Sequence, residues 1–329
     1  MPCRRPFAST STTTSSVAVL LLLCYFTTNP LVVVAWSLEM KRVLVTGGNK
    51  GIGKAICQRL LEQHDNVHVL LGSRDAARGQ QAVADILAAV GPKCKDRLEM
   101  IVLDTSSDDS VQQAAAATQG PLYGIINNAG IIRAPTLDQV VNVNYFGPKR
   151  VVQAFRSLLL VPGGRIVNIA SASGPYFVQE LPDDKTMYKK KLAQPWTSNL
   201  DELDQLAQTI TTYPAAQADP YGFSKALVNA WTLLLARNEP DLIVNSVTPG
   251  WIKTDMTAGQ GATNPPSKGA IPPVWCLMEK ALETVPTGRY YGSDCVRSPL
   301  HVYRGPGDAP YEGPDGLEIQ KKSTLNQTK

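Results

Sequence analysis

Three histidines are all that the 329 residues contain, and the six cysteines, at positions 3, 24, 57, 94, 276 and 295, include no Cys-x-x-Cys pair. Zinc-site spacing is therefore absent and no metal site is read; scattered buried thiols are the simpler account of the cysteines. Concentrated positive charge is lacking too. The formal net charge is +4, and the basic clusters Arg4-Arg5 and Lys189-Lys190-Lys191 do not extend into a stripe with interleaved aromatics, which removes nucleic acid from the expected partners. No internal repeat appears beyond an alternation of strand and helix. What remains is an ordinary globular balance, 43% hydrophobic and 18% charged, enough to bury a sizeable core in one large domain or two small ones.

Residues 1–39 differ from everything after them. Arg4-Arg5 leads into a Ser/Thr-rich run, then the apolar block Val17–Phe26, the break Thr27-Thr-Asn-Pro30 and a second apolar stretch ending at Ala35. A positive start, an apolar centre and a small residue are the layout of a signal or presequence, which points to the endomembrane system or an organelle. As one span, 17–36 is long enough to contact or cross a membrane. A start at Met40 would instead yield a complete cytoplasmic protein. These three readings stay open.

From Lys41 the pattern predicts strands at Val43–Val45, Val67–Leu71, Leu98–Leu103, Gly124–Asn127, Arg165–Ala170 and Leu242–Val247. Helices are predicted between them at Gly51–Gln63, Ala76–Val90, 109–118 and Val151–Leu160. Such repeated β-α units predict a Rossmann-type, doubly wound parallel α/β sheet in one domain over 40–297, with ligands at the carboxyl ends of the strands. After Ser298 the chain is rich in Gly, Pro, Asp and Lys, and 298–329 reads as a loosely ordered tail.

The first strand runs into Thr46-Gly47-Gly48-Asn49-Lys50-Gly51-Ile52-Gly53, which opens the first helix. Strand, glycine loop and helix in that order form the context in which backbone approaches a pyrophosphate at a helix N-terminus. After the second strand comes Gly72-Ser73-Arg74-Asp75. Ser73 and Arg74, with Lys50 nearby, suit a ribose 2′-phosphate, so NADP(H) is favoured over NAD; Asp75 reads as a helix N-cap.

Tyr221-Gly-Phe-Ser-Lys225 places a phenol and an ammonium one helical turn apart. A cation held beside the phenol would lower its pKa and make it a proton donor and acceptor at neutral pH. In chain order with Asp104, Asn127-Asn128-Ala129-Gly130, Asn144, Ser171 in Ile169-Ala-Ser-Ala-Ser-Gly174, and Pro249-Gly250, this arrangement resembles the short-chain dehydrogenase/reductase family. The glycine loop, Arg74–Gln80 and Pro249–Met256 resemble its carbonyl reductase branch, and the likeness covers roughly 41–292.

The resemblance implies that Tyr221 is the proton donor, that Lys225 holds the nicotinamide ribose, and that Ser171 hydrogen-bonds the carbonyl oxygen. It also implies that Asn144 holds a water that resupplies the proton. Cofactor contacts are implied at Gly47, Asn49, Lys50, Gly51, Ile52, Gly53, Ser73, Arg74, Asp104, Thr105, Asn128, Ala129, Gly130, Tyr221, Lys225, Pro249, Gly250, Trp251, Ile252 and Thr254. Ala170 departs from relatives with a serine there, beside the matching hydroxyl rather than at it.

Ser171 and Tyr221 lie 50 positions apart, farther than in most members of the family. The intervening insertion, 175–218, contains an amphipathic helix from Asn199 to Thr211 with Leu200, Leu203, Leu206, Ala207 and Ile210 on one face and Ser198/Asp201 as a capping pair. Carbonyl reductases carry a helical insert here over the surface that relatives use to dimerise, so the resemblance implies a monomer, with Lys189–Lys191 as a solvated face. The expected activity is NADPH-dependent reduction of a small-molecule ketone, aldehyde or quinone. The alternatives are a specialised steroid or terpenoid ketone reductase, and a silent NADP-binding scaffold.

Overall fold

The computed structural model describes residues 40–182, 186–284 and 287–314. The expected signal or anchor at 1–39 lies outside them; among the described residues no helix is long and apolar enough to cross a membrane. Eight strands form one sheet in the order β3-β2-β1-β4-β5-β6-β7-β8. They are β1 Lys41–Val45, β2 Val67–Ser73, β3 Leu98–Val102, β4 Gly124–Asn127, β5 Arg165–Ile169, β6 Ile243–Val247, β7 Tyr290–Tyr291 and β8 Arg297–Ser298. All pairings are parallel except β7 with β8. The strand order reverses between β1 and β4, and this opens a crevice beyond their carboxyl ends, the position where doubly wound sheets bind ligands.

The central strands read as unbroken apolar runs because helices cover both faces of the sheet. Along β1 the side chains nevertheless alternate. Leu44 joins Ile125, Ile166 and Val244 in one core, whereas Val43 and Val45 join Ile126, Val167 and Val247 in the other. The helix Pro220–Asn238 is buried from Gly222 to Ala236, since the sheet packs against one side and the insertion against the other. Proline at its first position and Asp219, whose carboxylate accepts the Gly222 N–H at 2.8 Å, fix where it starts. Gly174 allows the helix Ser173–Glu180 to lie directly on it: a Cβ there would stand 3.0 Å from the Ala226 nitrogen.

The insertion forms helices at Thr186–Ala193, Leu200–Gln208 and Pro214–Ala218. Leu203, Leu206, Ala207 and Ile210 are buried as the pattern predicts, but Asn199 replaces Ser198 as the cap. Its extended backbone aims the side-chain oxygen at the Glu202 N–H (2.9 Å), while the Ser198 hydroxyl donates to the Glu202 carboxylate (2.7 Å). The lysine run is less solvated than expected: Lys189 donates to the Leu181 carbonyl (3.0 Å) and Lys191 pairs with Glu202 (3.2 Å).

The loose tail expected from residue 298 is corrected as far as Pro314; 315–329 lie outside the described residues. Ser298 belongs to β8. Arg304 grips both carboxylate oxygens of Asp294 (3.1 and 2.8 Å), Tyr303 stacks on Tyr176 at 4.4 Å, and Arg297 lies over the Tyr311 ring. Hydrophobic periodicity could not reveal this order, because ion pairing and ring stacking to distant residues supply it.

Candidate active site

Backbone geometry builds the site first. The Thr46 hydroxyl accepts the N–H groups of Asn128 and Ala129, each at 3.0 Å, and the Asn128 amide donates to the carbonyls of Thr46 (2.9 Å) and Gly47 (3.2 Å). The ends of β1 and β4 are thereby tied together at the crevice. Gly47 has φ +65°, and a Cβ on Gly53 would lie 2.2 Å from the Gly47 carbonyl oxygen, so only glycine permits this turn. The helix it opens, Gly51–Gln63, has no side-chain cap and no acidic residue in its first turn. Its first N–H groups face the crevice with the positive end of the helix dipole, the chemistry that suits a pyrophosphate.

A cavity of about 640 Å³ extends along the strand ends, a size typical of a ligand site. Gly47, Asn49, Lys50, Gly51, Ile52 and Gly53 line it at the loop, and Asp104, Thr105, Asn128, Ala129 and Gly130 on the side of β3 and β4. Tyr221, Lys225, Pro249 and Thr254 close it. Four expected cofactor contacts do not line it. Ser73 is buried and its hydroxyl is spent on the Asp75 carbonyl at 2.8 Å. Gly250, at φ +88°, turns the chain toward Ser293, Trp251 is half exposed, and Ile252 is buried against Gly269.

Arg74 lines the cavity together with Asp75, Arg78 and Lys50. Lys50 pairs with Asp255 at 2.8 Å, and this contact holds the Asp255 carboxyl below its usual range. The sequence reading missed Arg78, although its signal was present: it stands in the first turn of the helix that Asp75 caps, four positions after Arg74. Asp75 caps its helix as expected, accepting the Arg78 N–H at 2.9 Å.

At the reacting end the Lys225 ammonium donates to the Ile169 carbonyl at 2.8 Å and stands 5.6 Å from the centre of the Tyr221 ring. Burial lowers the Lys225 pKa to about 8. The expectation that Lys225 lowers the Tyr221 pKa is corrected: burial raises it, a hydrogen bond with Ser171 pulls it back, and the Asp219 charge pushes it up. The dry surroundings that favour neutral lysine disfavour phenolate, and the ammonium is directed at a backbone carbonyl rather than at the phenol.

Asn144 and Ser171 lie just behind the cavity wall. Asn144 is buried, with its side-chain oxygen accepting the Ile131 N–H (2.8 Å) and its amide donating to the Ile131 carbonyl (2.8 Å) and the Ser224 hydroxyl (3.0 Å). A Cβ on Gly130 would stand 3.2 Å from the Asn144 oxygen and 3.6 Å from the Lys225 nitrogen, so the absence of a side chain there lets the two approach. The Ser171 hydroxyl accepts the Ser173 N–H at 3.2 Å and donates to the Ser173 hydroxyl at 3.3 Å.

The profile described as short chain dehydrogenase matches residues 41–182, the part that contains the glycine loop, Asn144 and Ser171. Over these residues the chain matches the short-chain dehydrogenase/reductase family. Relatives include a (+)-neomenthol dehydrogenase of Arabidopsis thaliana, 29% identical over 284 residues that cover 75% of this chain and 94% of that one. Another is the carbonyl reductase [NADPH] 1 of Pongo abelii, 29% identical over 265 residues, covering 74% and 92%. In fold the chain is similar to salutaridine reductase of Papaver somniferum, with a TM-score of 0.65, 24% identity, and coverage of 76% and 99%. Oxidoreductases of that family, acting between alcohol and carbonyl groups, must bring a hydride donor and a proton donor to one place. Tyr221 and Lys225 lie one helical turn apart on the wall of the cavity.

Proposed function

We propose that the protein is a short-chain dehydrogenase/reductase, an NADPH-dependent carbonyl reductase that converts a small ketone, aldehyde or quinone to the alcohol. One observation carries the reading: a single cavity is lined both by Arg74 and Arg78 and by Tyr221 and Lys225. Two guanidiniums suit a 2′-phosphate, and the competing carboxylate of Asp75 is engaged as a helix cap. The relative named carbonyl reductase [NADPH] supports the same choice.

When bound, the nicotinamide supplies the hydride. The protein's share is orientation and proton transfer. Tyr221 donates its proton to the carbonyl oxygen as charge develops there, with Ser171 as a second donor to that oxygen. The raised pKa of Tyr221 keeps the phenol protonated for this step. Lys225 holds the ribose, and Asn144, beside it, holds the water that restores the proton. The protein acts as a monomer, a reading supported by the way the insertion covers the outer side of the Pro220–Asn238 helix.

The test is a panel of aldehydes, quinones, aliphatic ketones and monoterpenoid ketones, with NADPH and NADH, on protein beginning at Met40. Turnover with NADPH is expected. Tyr221→Phe should lose ~10²-fold or more in kcat while NADPH affinity is unchanged. Retained turnover in that variant refutes the mechanism.

A further inference from the structure

We propose that Asp204, on the insertion, is a positioning residue for Asn144 and acts through the buried phenol of Tyr145. The inference rests on the reading of Asn144 as part of the reduction site.

Asn144 and Tyr145 are neighbours in a π turn, Asn142–Phe146, between the helices Leu137–Val141 and Gly147–Phe155. The Gly147 N–H reaches back five residues to the Asn142 carbonyl. This wide turn is rarer than α-helix and is found disproportionately at functional sites. It sends the two side chains to different places. Asn144 faces Ile131 and Ser224 beside Lys225, whereas Tyr145 enters the core, fully buried. There its hydroxyl donates to the Asp204 carboxylate at 2.7 Å. The same carboxylate oxygen takes the Lys149 ammonium, which lies over the Tyr145 ring at 5.1 Å.

Burial and the Asp204 charge raise the Tyr145 pKa, so the phenol stays protonated and donating. A phenylalanine would fill this space equally well without requiring a partner for a buried hydroxyl. The hydroxyl's effect is to couple the turn to the Leu200–Gln208 helix. At the turn's other end Arg150 holds the side-chain oxygen of Asn142 (2.6 Å) and its carbonyl (3.3 Å). With both ends held, the register that aims Asn144 is set, and one of the two holds comes from the insertion.

The test uses the full chain and the variants Tyr145→Phe, Asp204→Asn and Asp204→Ala, each also in an Asn144→Ala background. Tyr145→Phe should lower kcat about tenfold with KM for NADPH and carbonyl within about twofold, and should have no further effect once Asn144 is alanine. Asp204→Asn, which keeps an acceptor for the phenol, should retain more kcat than Asp204→Ala. Losses that multiply equally in both backgrounds, or a fall in melting temperature with kcat unchanged, overturn the proposal. A second readout is independent of turnover: amide exchange over 142–147 should quicken about tenfold in Tyr145→Phe while β4 is unaffected. Equal exchange overturns the positioning role. Normal coupling in exchange with no carbonyl turnover by the wild type refutes the reductase reading alone.

Discussion

Lys225 allows a prediction whose sign and size both follow from its surroundings. The residue is 4% exposed and the acceptor of its ammonium is the Ile169 carbonyl. Burial takes its pKa from 10.5 to about 8. At ~1.4 kcal/mol for each factor of ten, the buried charge costs the native state ~3 kcal/mol at neutral pH. The cost is present in full below pH 8. Between pH 8 and 10.5 the native lysine has released its proton while the unfolded one keeps it, so the unfolded state binds more protons and stability rises with pH. Lys225→Met removes the titrating group and keeps a chain of similar length. Urea unfolding of nucleotide-free protein at pH 7, 8, 9 and 10.5 should show the wild type gaining ~3 kcal/mol relative to the variant across that range. The Ile169 carbonyl loses its donor in the variant, at ~1–3 kcal/mol, which displaces the variant's curve without tilting it. Turnover should be lost at every pH. Two curves that stay parallel from pH 7 to 10.5 would show that the burial cost has been misread.

Other positions give equally definite expectations. Replacing Arg74 and Arg78 together with alanine should raise KM for NADPH by ~10–100-fold and leave KM for NADH within ~3-fold; an unchanged ratio contradicts the assignment of that part of the cavity. Gly53→Ala places a Cβ 2.2 Å from the Gly47 carbonyl oxygen and should cost ~1–3 kcal/mol of stability, with dinucleotide affinity falling alongside. Calorimetry showing wild-type melting and wild-type affinity would discard it. Asp219→Asn keeps the acceptor for the Gly222 N–H but removes the charge that raises the Tyr221 pKa. The alkaline fall of kcat for reduction should therefore begin at lower pH, and an unmoved or upward-shifted limb would be the wrong result.

Much of this molecule was legible because its signals are local. β1, β2 and β4 to β6 are largely buried, so short apolar runs marked them, and the half-exposed edge strand β3 was marked by Met100–Leu103. The glycine loop was readable because the turn itself demands glycine, and the amphipathic helix of the insertion because one face is apolar. β7 and β8 were not legible: each has two residues, too few for a period, and each exists through pairing with its neighbour. Arg304 and Tyr303 escaped notice for a related reason, since Asp294 and the Tyr176 ring give them their places. Around the cofactor cavity, residue type predicted which side chains suit a phosphate or a proton transfer, but not where each one points. Ser73 turned inward and Lys50 found Asp255, whereas Arg78 reached the cavity from the first turn of the following helix.

The amino-acid sequence by itself determined the doubly wound sheet and the strand-loop-helix at the glycine loop, and it nominated the set Asn144, Ser171, Tyr221 and Lys225. Periodicity, glycine spacing and side-chain chemistry are properties of neighbouring residues. Only the tertiary structure decided the electrostatics of that set and its support. Whether Lys225 lowers the Tyr221 pKa depends on how far water is excluded from both and on where the ammonium is aimed, and here exclusion prevails. That the insertion reaches the π turn beside Asn144 depends on Asp204 meeting Tyr145 across 59 positions. Desolvation and long-range contacts arise from packing, and packing is settled only when the whole chain has closed.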